Sequence, residues 1–319
     1  MLDAWAATTK PGEAPGAAAV EQPQLPVAPM QRRLIEWYGE HARDLPWRRT
    51  EATAWGILVS EIMLQQTPVH RVLPAYAAWI KRWPTAAELA ADTAAEAIRA
   101  WARLGYPRRA LRLHACAITI ATRYDNQVPS EVDQLLALPG IGSYTARAIA
   151  AFAFGQRQPV VDVNVRRVLA RVVAGVAGCG PTTTAADMAL MESLLPPAPA
   201  RAARLCAAIM ELGATMCTSR SPNCGSCPLT EHCAWRAKGY PAAQHGIRRT
   251  QRYEGTDRQV RGLLLAILRN APGPVDKERL DAAWQLPEQR KRALTSLVDD
   301  GLIEQLGGDL YALAGQRTS

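Results

Sequence analysis

The chain has 319 residues, 37 of them Lys or Arg against 29 Asp or Glu, for a formal net charge of +8. That length gives room for two or three domains and a sizeable core, and the positive balance favours a polyanionic partner, nucleic acid ahead of an anionic membrane. No apolar run is long enough to span a bilayer and no secretory pattern opens the sequence, so a cytoplasmic monomer without a membrane partner is expected, nucleoid-associated in a bacterium.

Residues 1–29 are rich in Ala, Pro, Gly and Gln and lack apolar periodicity, which predicts a disordered tail. From residue 31 to about 237 the pattern is helical nearly throughout. Breaks fall at Leu45-Pro46, Trp83-Pro84, Gly105-Tyr106-Pro107, Pro139-Gly140 and Pro196-Pro197. The main body is therefore expected to be all-α. A polar, basic linker covers 239–256. Beyond it, helices are predicted over 258–269, 276–284 and 287–301, followed by two short β-like runs around Gly307-Gly308. Three helices and a hairpin suggest a winged helix-turn-helix module over 257–315. Its third helix begins EQRKRAL, a basic end that suits DNA reading and equally suits a solvated helix face.

Four segments carry chemistry. In AWGILVSEIMLQQT, residues 54–67, Glu61 has Ile57, Leu58 and Leu64 as helical neighbours. A carboxyl on such an apolar face is desolvated, with a raised pKa, as a general acid requires. In LPGIGSYTARAIA, residues 138–150, Gly140, Ile141 and Gly142 form a tight turn ahead of a helix. The turn's backbone N–H groups and the helix N-terminus would cradle one DNA phosphate without reading sequence. In PVVDVNVRRVLAR, residues 159–171, Asp162 sits where a helix N-cap is expected, a position that keeps a carboxylate ionised. One protonated carboxyl with one ionised carboxylate is the glycoside-cleaving arrangement. Finally, Cys217, Cys224, Cys227 and Cys233 fall in a C-x6-C-x2-C-x5-C run. Four thiolates so close can wrap a zinc ion or an iron–sulfur cluster, and the single CxxC pair tilts the choice toward a cubane. Cys116, Cys179 and Cys206 read as buried or incidental thiols.

Taken together, SEIMLQQT, LGYPRRA, LPGIGSYTARAIA, VDVNVRRVLAR, MELGATMC and the four-cysteine loop occur in one order over residues 31–238. The set resembles the helix–hairpin–helix DNA glycosylases with a [4Fe–4S] cluster, and among them the MutY-type adenine glycosylases. The resemblance implies a six-helix barrel domain over 48–155 and an iron–sulfur domain from 30–47 plus 156–238. It implies a [4Fe–4S] cofactor on Cys217, Cys224, Cys227 and Cys233. The expected partner is double-stranded DNA with adenine opposite 8-oxoguanine or guanine. Glu61 would protonate adenine N7, Asp162 would stabilise the sugar cation and Tyr144 would support that charged site. The related endonuclease III enzymes have a lysine at the Tyr144 position that attacks C1′. A phenol cannot form a Schiff base, so base removal without efficient strand cleavage is expected.

Arg48, Trp47 and Glu211 resemble adenine-pocket residues, with Glu211 accepting from the exocyclic amine, and Asn164 belongs with the substrate-binding set. Gln66, Thr67, Leu104 and Tyr106 resemble residues that enter the duplex near the orphaned base, with Tyr106 as the wedge. Two departures stand out. Pro107 replaces the second tyrosine of the usual LGYY loop, and no Nudix-like C-terminal domain is evident. A mismatch thymine glycosylase is the competing enzyme, and a non-catalytic DNA-binding iron–sulfur protein the competing class.

Overall fold

A computed structural model describes residues 26–242 and 253–316. The body is helical: α1 (Val27–His41), α2 (Ala54–Leu64), α3 (Val69–Arg82), α4 (Ala86–Ala91), α5 (Ala94–Trp101), α6 (Arg108–Arg123), α7 (Val132–Leu136), α8 (Ser143–Phe154), α9 (Val163–Leu169), α10 (Ala185–Leu194), α11 (Pro199–Thr215) and α12 (Ala234–Ala237). Helix α1 begins inside the stretch expected to be tail, because Met30 joins Leu34 and Trp37 in one buried stripe. The remainder of the expected tail, and most of the 239–256 linker, lie outside the described residues. No helix among the described residues is long and apolar enough to cross a membrane.

Two cores flank α8. One gathers α2 to α7 around Trp79, which meets Trp83 and Trp101 edge to face at 4.6 and 5.7 Å between ring centroids. The other gathers α1, α9, α10 and α11. The alanines of SYTARAIAAFAF let α8 serve both: Ala146, Ile149 and Ala150 face the first core, and Ala148 and Ala151 the second. Leu45 and Trp47 belong to the first core, so the expected domain boundary after residue 47 falls slightly late. The cause is the 3-10 turn Pro46–Arg48, which turns Trp47 edge-on to Tyr76.

The C-terminal segment has the expected winged layout. It runs α13 (Asp257–Asn270), β1 (Val275–Asp276), α14 (Lys277–Asp281), α15 (Pro287–Asp299), β2 (Ile303–Gln305) and β3 (Leu310–Leu313). The three strands are antiparallel in the order β1-β3-β2. Helix α14 is shorter than the predicted 276–284, because Ala283 and Trp284 turn inward and pack on the core. Val260, Leu264 and Leu268 of α13 share the first core, and α13 and β3 pack on α5.

Candidate active site

The two cores meet along a cleft of about 1400 Å³, lined among others by Tyr38, Arg48, Glu61, Tyr144, Asp162 and Met210. That volume exceeds what one nucleoside needs. Glu61 reaches it from α2, whose N-cap Thr53 accepts from the Gly56 N–H at 3.0 Å. Nearly all of α2 is buried, and Glu61 retains 7% of its surface. Burial pushes its carboxyl up to about 7; a Tyr144 hydrogen bond and the Arg48 charge oppose the rise and the Asp162 charge adds to it. Burial and the charges of Glu61 and Asp162 raise Tyr144 well above the ordinary phenol range, so it stays a neutral donor.

Asp162 is the N-cap of α9, as expected. Its Oδ1 accepts from the Val165 N–H and its Oδ2 from Asn164 Nδ2, both at 2.7 Å. Burial raises this carboxyl, while those hydrogen bonds and Arg167 hold the rise down. Asn164 lines the cleft with its side-chain amide turned onto Asp162. Its Oδ1 accepts from Arg167 Nη2 at 2.8 Å, and Arg167 also donates to Gly213 O and Cys217 O. Helix α11 presses closely here: a Cβ on Gly213 would lie 2.8 Å from Asn164 Cβ and backbone O. Gly213 in MELGA is therefore a packing requirement that sets where Asp162 sits.

Glu211, expected as an acceptor for the adenine amine, is fully buried and already engaged. Arg43 donates to it through its backbone N–H, Nε and Nη2 at 3.2, 2.6 and 2.8 Å, and Arg48 Nη2 lies 2.9 Å away. Burial alone would raise its carboxyl, but the two arginines outweigh that and hold it below the usual range. It therefore anchors Arg48 at the cleft, with its lone pairs occupied. Arg43 has no motif signal and was not expected.

The turn expected to cradle a phosphate differs in detail from expectation. Gly140 has φ +80°, and a Cβ there would strike Arg112 Cβ at 2.7 Å. Gly142 is extended at φ −99° as the N-cap of α8, with open space where a Cβ would be. The Ile141 N–H donates to Leu138 O at 3.2 Å and its side chain is buried, so Ile141 shapes the turn from inside.

Of the four residues expected to probe the duplex, Gln66 and Tyr106 protrude, both at positive φ (56° and 48°), and Tyr106 is 51% exposed. Thr67 and Leu104 are buried behind them, because both belong to the hydrogen-bonded or apolar support of the loops. Thr67 Oγ1 donates to Leu104 O at 3.3 Å. Arg109, absent from the expected set, binds the two loops together. Its Nη1 donates to Ile62 O and Met63 O at 2.9 and 3.0 Å, closing the C-terminus of α2. Its Nη2 donates to Thr67 Oγ1 at 2.8 Å and Gly105 O at 3.0 Å. Burial lowers its pKa to about 10, so it stays charged at neutral pH. An arginine embedded in the buried stripe of α6 was the only signal available in the sequence.

Cys217, Cys224, Cys227 and Cys233 line one small cavity with Val172, Leu212 and Met216. Helix α9 runs into a π-helical turn, Ala170–Ala174, which aims Arg171 at this cavity. Arg171 donates to Cys217 Sγ at 3.3 Å and stacks on Trp235. Among the described residues no three Cys, His, Asp or Glu converge as a single-ion site does. Four soft thiolates spread round an apolar pocket with a cation beside them fit a cubane, which is larger and anionic.

A family model for the HhH-GPD superfamily of base excision DNA repair proteins matches residues 59–193, and one for the iron–sulfur binding domain of endonuclease III matches 217–233. A solved thermostable thymine-DNA glycosylase is 26% identical with a TM-score of 0.58, over 66% of this chain and 97% of that one. The adenine DNA glycosylase of Mycobacterium tuberculosis H37Rv is 51% identical over 89% of this chain and 93% of its own. That of Mycolicibacterium smegmatis is 56% identical over 92% and 98%. The chain belongs to the adenine DNA glycosylases. Like them it is a base excision repair glycosylase acting on DNA, and its cofactor is a [4Fe–4S] cluster. In this adenine DNA glycosylase the second family match begins and ends on Cys217 and Cys233, the outer pair of the four thiols. Cys217, Cys224, Cys227 and Cys233 would hold that cluster, and four thiolate ligands would leave it a structural tie across the 217–233 loop. Arg167 joins that loop, through Cys217 O, to Asn164 and thence to Asp162.

Proposed function

We propose that this glycosylase removes adenine paired with 8-oxoguanine or guanine, and hydrolyses the N-glycosidic bond without cutting the strand. The supporting observation is the pairing of Glu61, buried with its pKa near 7, with Asp162, which caps α9 and is held by the Val165 N–H and Asn164 Nδ2, in one cleft. The extruded adenine would occupy the cleft near Trp47 and Arg48. Glu61 gives its proton to adenine N7, and the C1′–N9 electron pair leaves with the base. Asp162 faces the sugar cation as it forms, and a water then adds at C1′ and gives its surplus proton to the Glu61 carboxylate. Tyr144 keeps Glu61 oriented and, lacking an amine, cannot trap C1′ as an imine. Gln66 and Tyr106 would occupy the space vacated beside the orphaned base, and the N-terminal end of α8 at Gly142 would receive a backbone phosphate.

The test is single-turnover excision on duplexes with A opposite 8-oxoguanine, A opposite guanine and T opposite guanine, each with and without alkali. Strand breaks only after alkali, fastest for A opposite 8-oxoguanine, are expected. Equal rates on both adenine mispairs would remove the 8-oxoguanine preference. Activity confined to T would favour a thymine mismatch enzyme, and breaks without alkali would contradict the absence of strand cleavage.

A further inference from the structure

The loop carrying Tyr106 holds two non-glycine residues in the left-handed region, Ala102 at φ 47° and Tyr106 at φ 48°. Such conformations are strained and persist only where their surroundings over-determine them. Here every carbonyl from 102 to 106 is held. Arg269 donates to Ala102 O and Arg71 to Arg103 O. Thr67 Oγ1 donates to Leu104 O, and Trp101 Nε1 and Arg109 Nη2 to Gly105 O. The Arg109 N–H donates to Tyr106 O at 3.0 Å.

One of these donors, Arg269, comes from α13 of the C-terminal module. The module also grips the far end of the loop. Arg108, the first residue of α6, lies 3.2 Å from Asp300, which is itself paired with Arg261 of α13. Arg99 of α5 returns the contact, donating to Arg269 O at 3.3 Å and Ala271 O at 3.2 Å. Meanwhile two arginines at the basic end of α15 are paired within the module. Arg290 donates to Asp281 at 2.7 Å and Arg292 to Asp257 at 3.3 Å. Arginines already paired with carboxylates are poorly placed to read bases.

We propose that the C-terminal module is a brace for the wedge loop, with Arg269 and Asp300 as positioning residues that fix where Tyr106 meets the duplex. This rests on the reading of Tyr106 as a wedge. A braced loop has paid its ordering entropy before DNA arrives, so the wedge binds pre-formed.

The test uses the full-length, cluster-loaded protein with Arg269→Ala, Asp300→Ala and Asp300→Glu. Hydrogen exchange in the free protein should quicken at least about tenfold over 102–108 in both alanine variants. It should stay unchanged around Glu61 and over 217–233, and Asp300→Glu should restore much of the protection. With DNA, 2-aminopurine beside the orphaned base should lose part of its fluorescence rise, in the direction of Tyr106→Ala. Excision of adenine opposite an abasic position, where no partner base is displaced, should change less than about twofold. Unchanged exchange over 102–108, or a rise spread evenly through the barrel, would overturn the brace. The expected exchange pattern together with a Tyr106→Ala variant that unstacks DNA normally would keep the brace and discard the wedge.

Discussion

The side-chain amide of Asn164 donates to Oδ2 of Asp162 at 2.7 Å, and that amide is held in place by Arg167 on one side and Gly213 on the other. The carboxylate proposed to face the sugar cation is thus aimed by the close approach of α11 to the first turn of α9.

Gly213→Ala should therefore damage chemistry more than binding. The added methyl would force Asn164 and its backbone away by several tenths of an ångström, turning Asp162 with them. Misplacement of about 1 Å can cost 10²-fold in rate. Single-turnover excision should fall tenfold or more while affinity for mispaired DNA, measured by gel shift, changes little.

Glu61 gives a pH signature in both activity and stability. The proposed chemistry needs its acid form, so excision should decline above pH 7 by about tenfold per unit. Its pKa is raised on folding, so the native chain binds a proton that the unfolded chain has released. Stability is therefore lost as pH rises from about 4.5 to about 7, on the order of 3 kcal/mol in all. Glu61→Gln should abolish excision and remove this component of the pH dependence of unfolding in urea.

Tyr144→Phe removes the hydrogen bond that pulls the Glu61 pKa down. The Glu61 pKa should rise further, and the alkaline limb of the excision profile should move to higher pH. A profile that keeps its midpoint while losing amplitude would mean that Tyr144 acts on the substrate instead.

Arg109 closes α2 and ties both probing loops with one guanidinium. Arg109→Ala leaves several buried carbonyls unpaired, and a loss of about 2–4 kcal/mol is expected in denaturant unfolding. Arg109→Lys should recover less than half of it, because one ammonium cannot span both loops.

Much of this site is legible in the sequence because its motifs are local. Glu61 on an apolar helix, Asp162 as an N-cap and the four-cysteine loop each follow from spacing within about 20 residues, and the structure has each where its local pattern puts it. What escaped depends on contacts between distant segments. Glu211 reads as a free acceptor until Arg43, 168 residues away, is brought onto it. That Asn164 is pressed onto Asp162 by Gly213 likewise depends on α11, far further along the chain. Leu104 and Thr67 share the motif of the protruding loop residues, yet only the fold decides which of them face inward. The winged module was recognisable from its helices and hairpin, but its docking on α5 and α6 runs through surface arginines that no periodicity marks.

Whether Glu61 is the acid is read from the pH profile of single-turnover adenine excision from A opposite 8-oxoguanine, with Glu61→Gln in parallel. A rate that falls through pH 7 in the unmodified protein, and a variant with no excision at any pH, are the expected results. A rate that keeps climbing above pH 7, or a variant that still excises adenine, would contradict Glu61 as the acid.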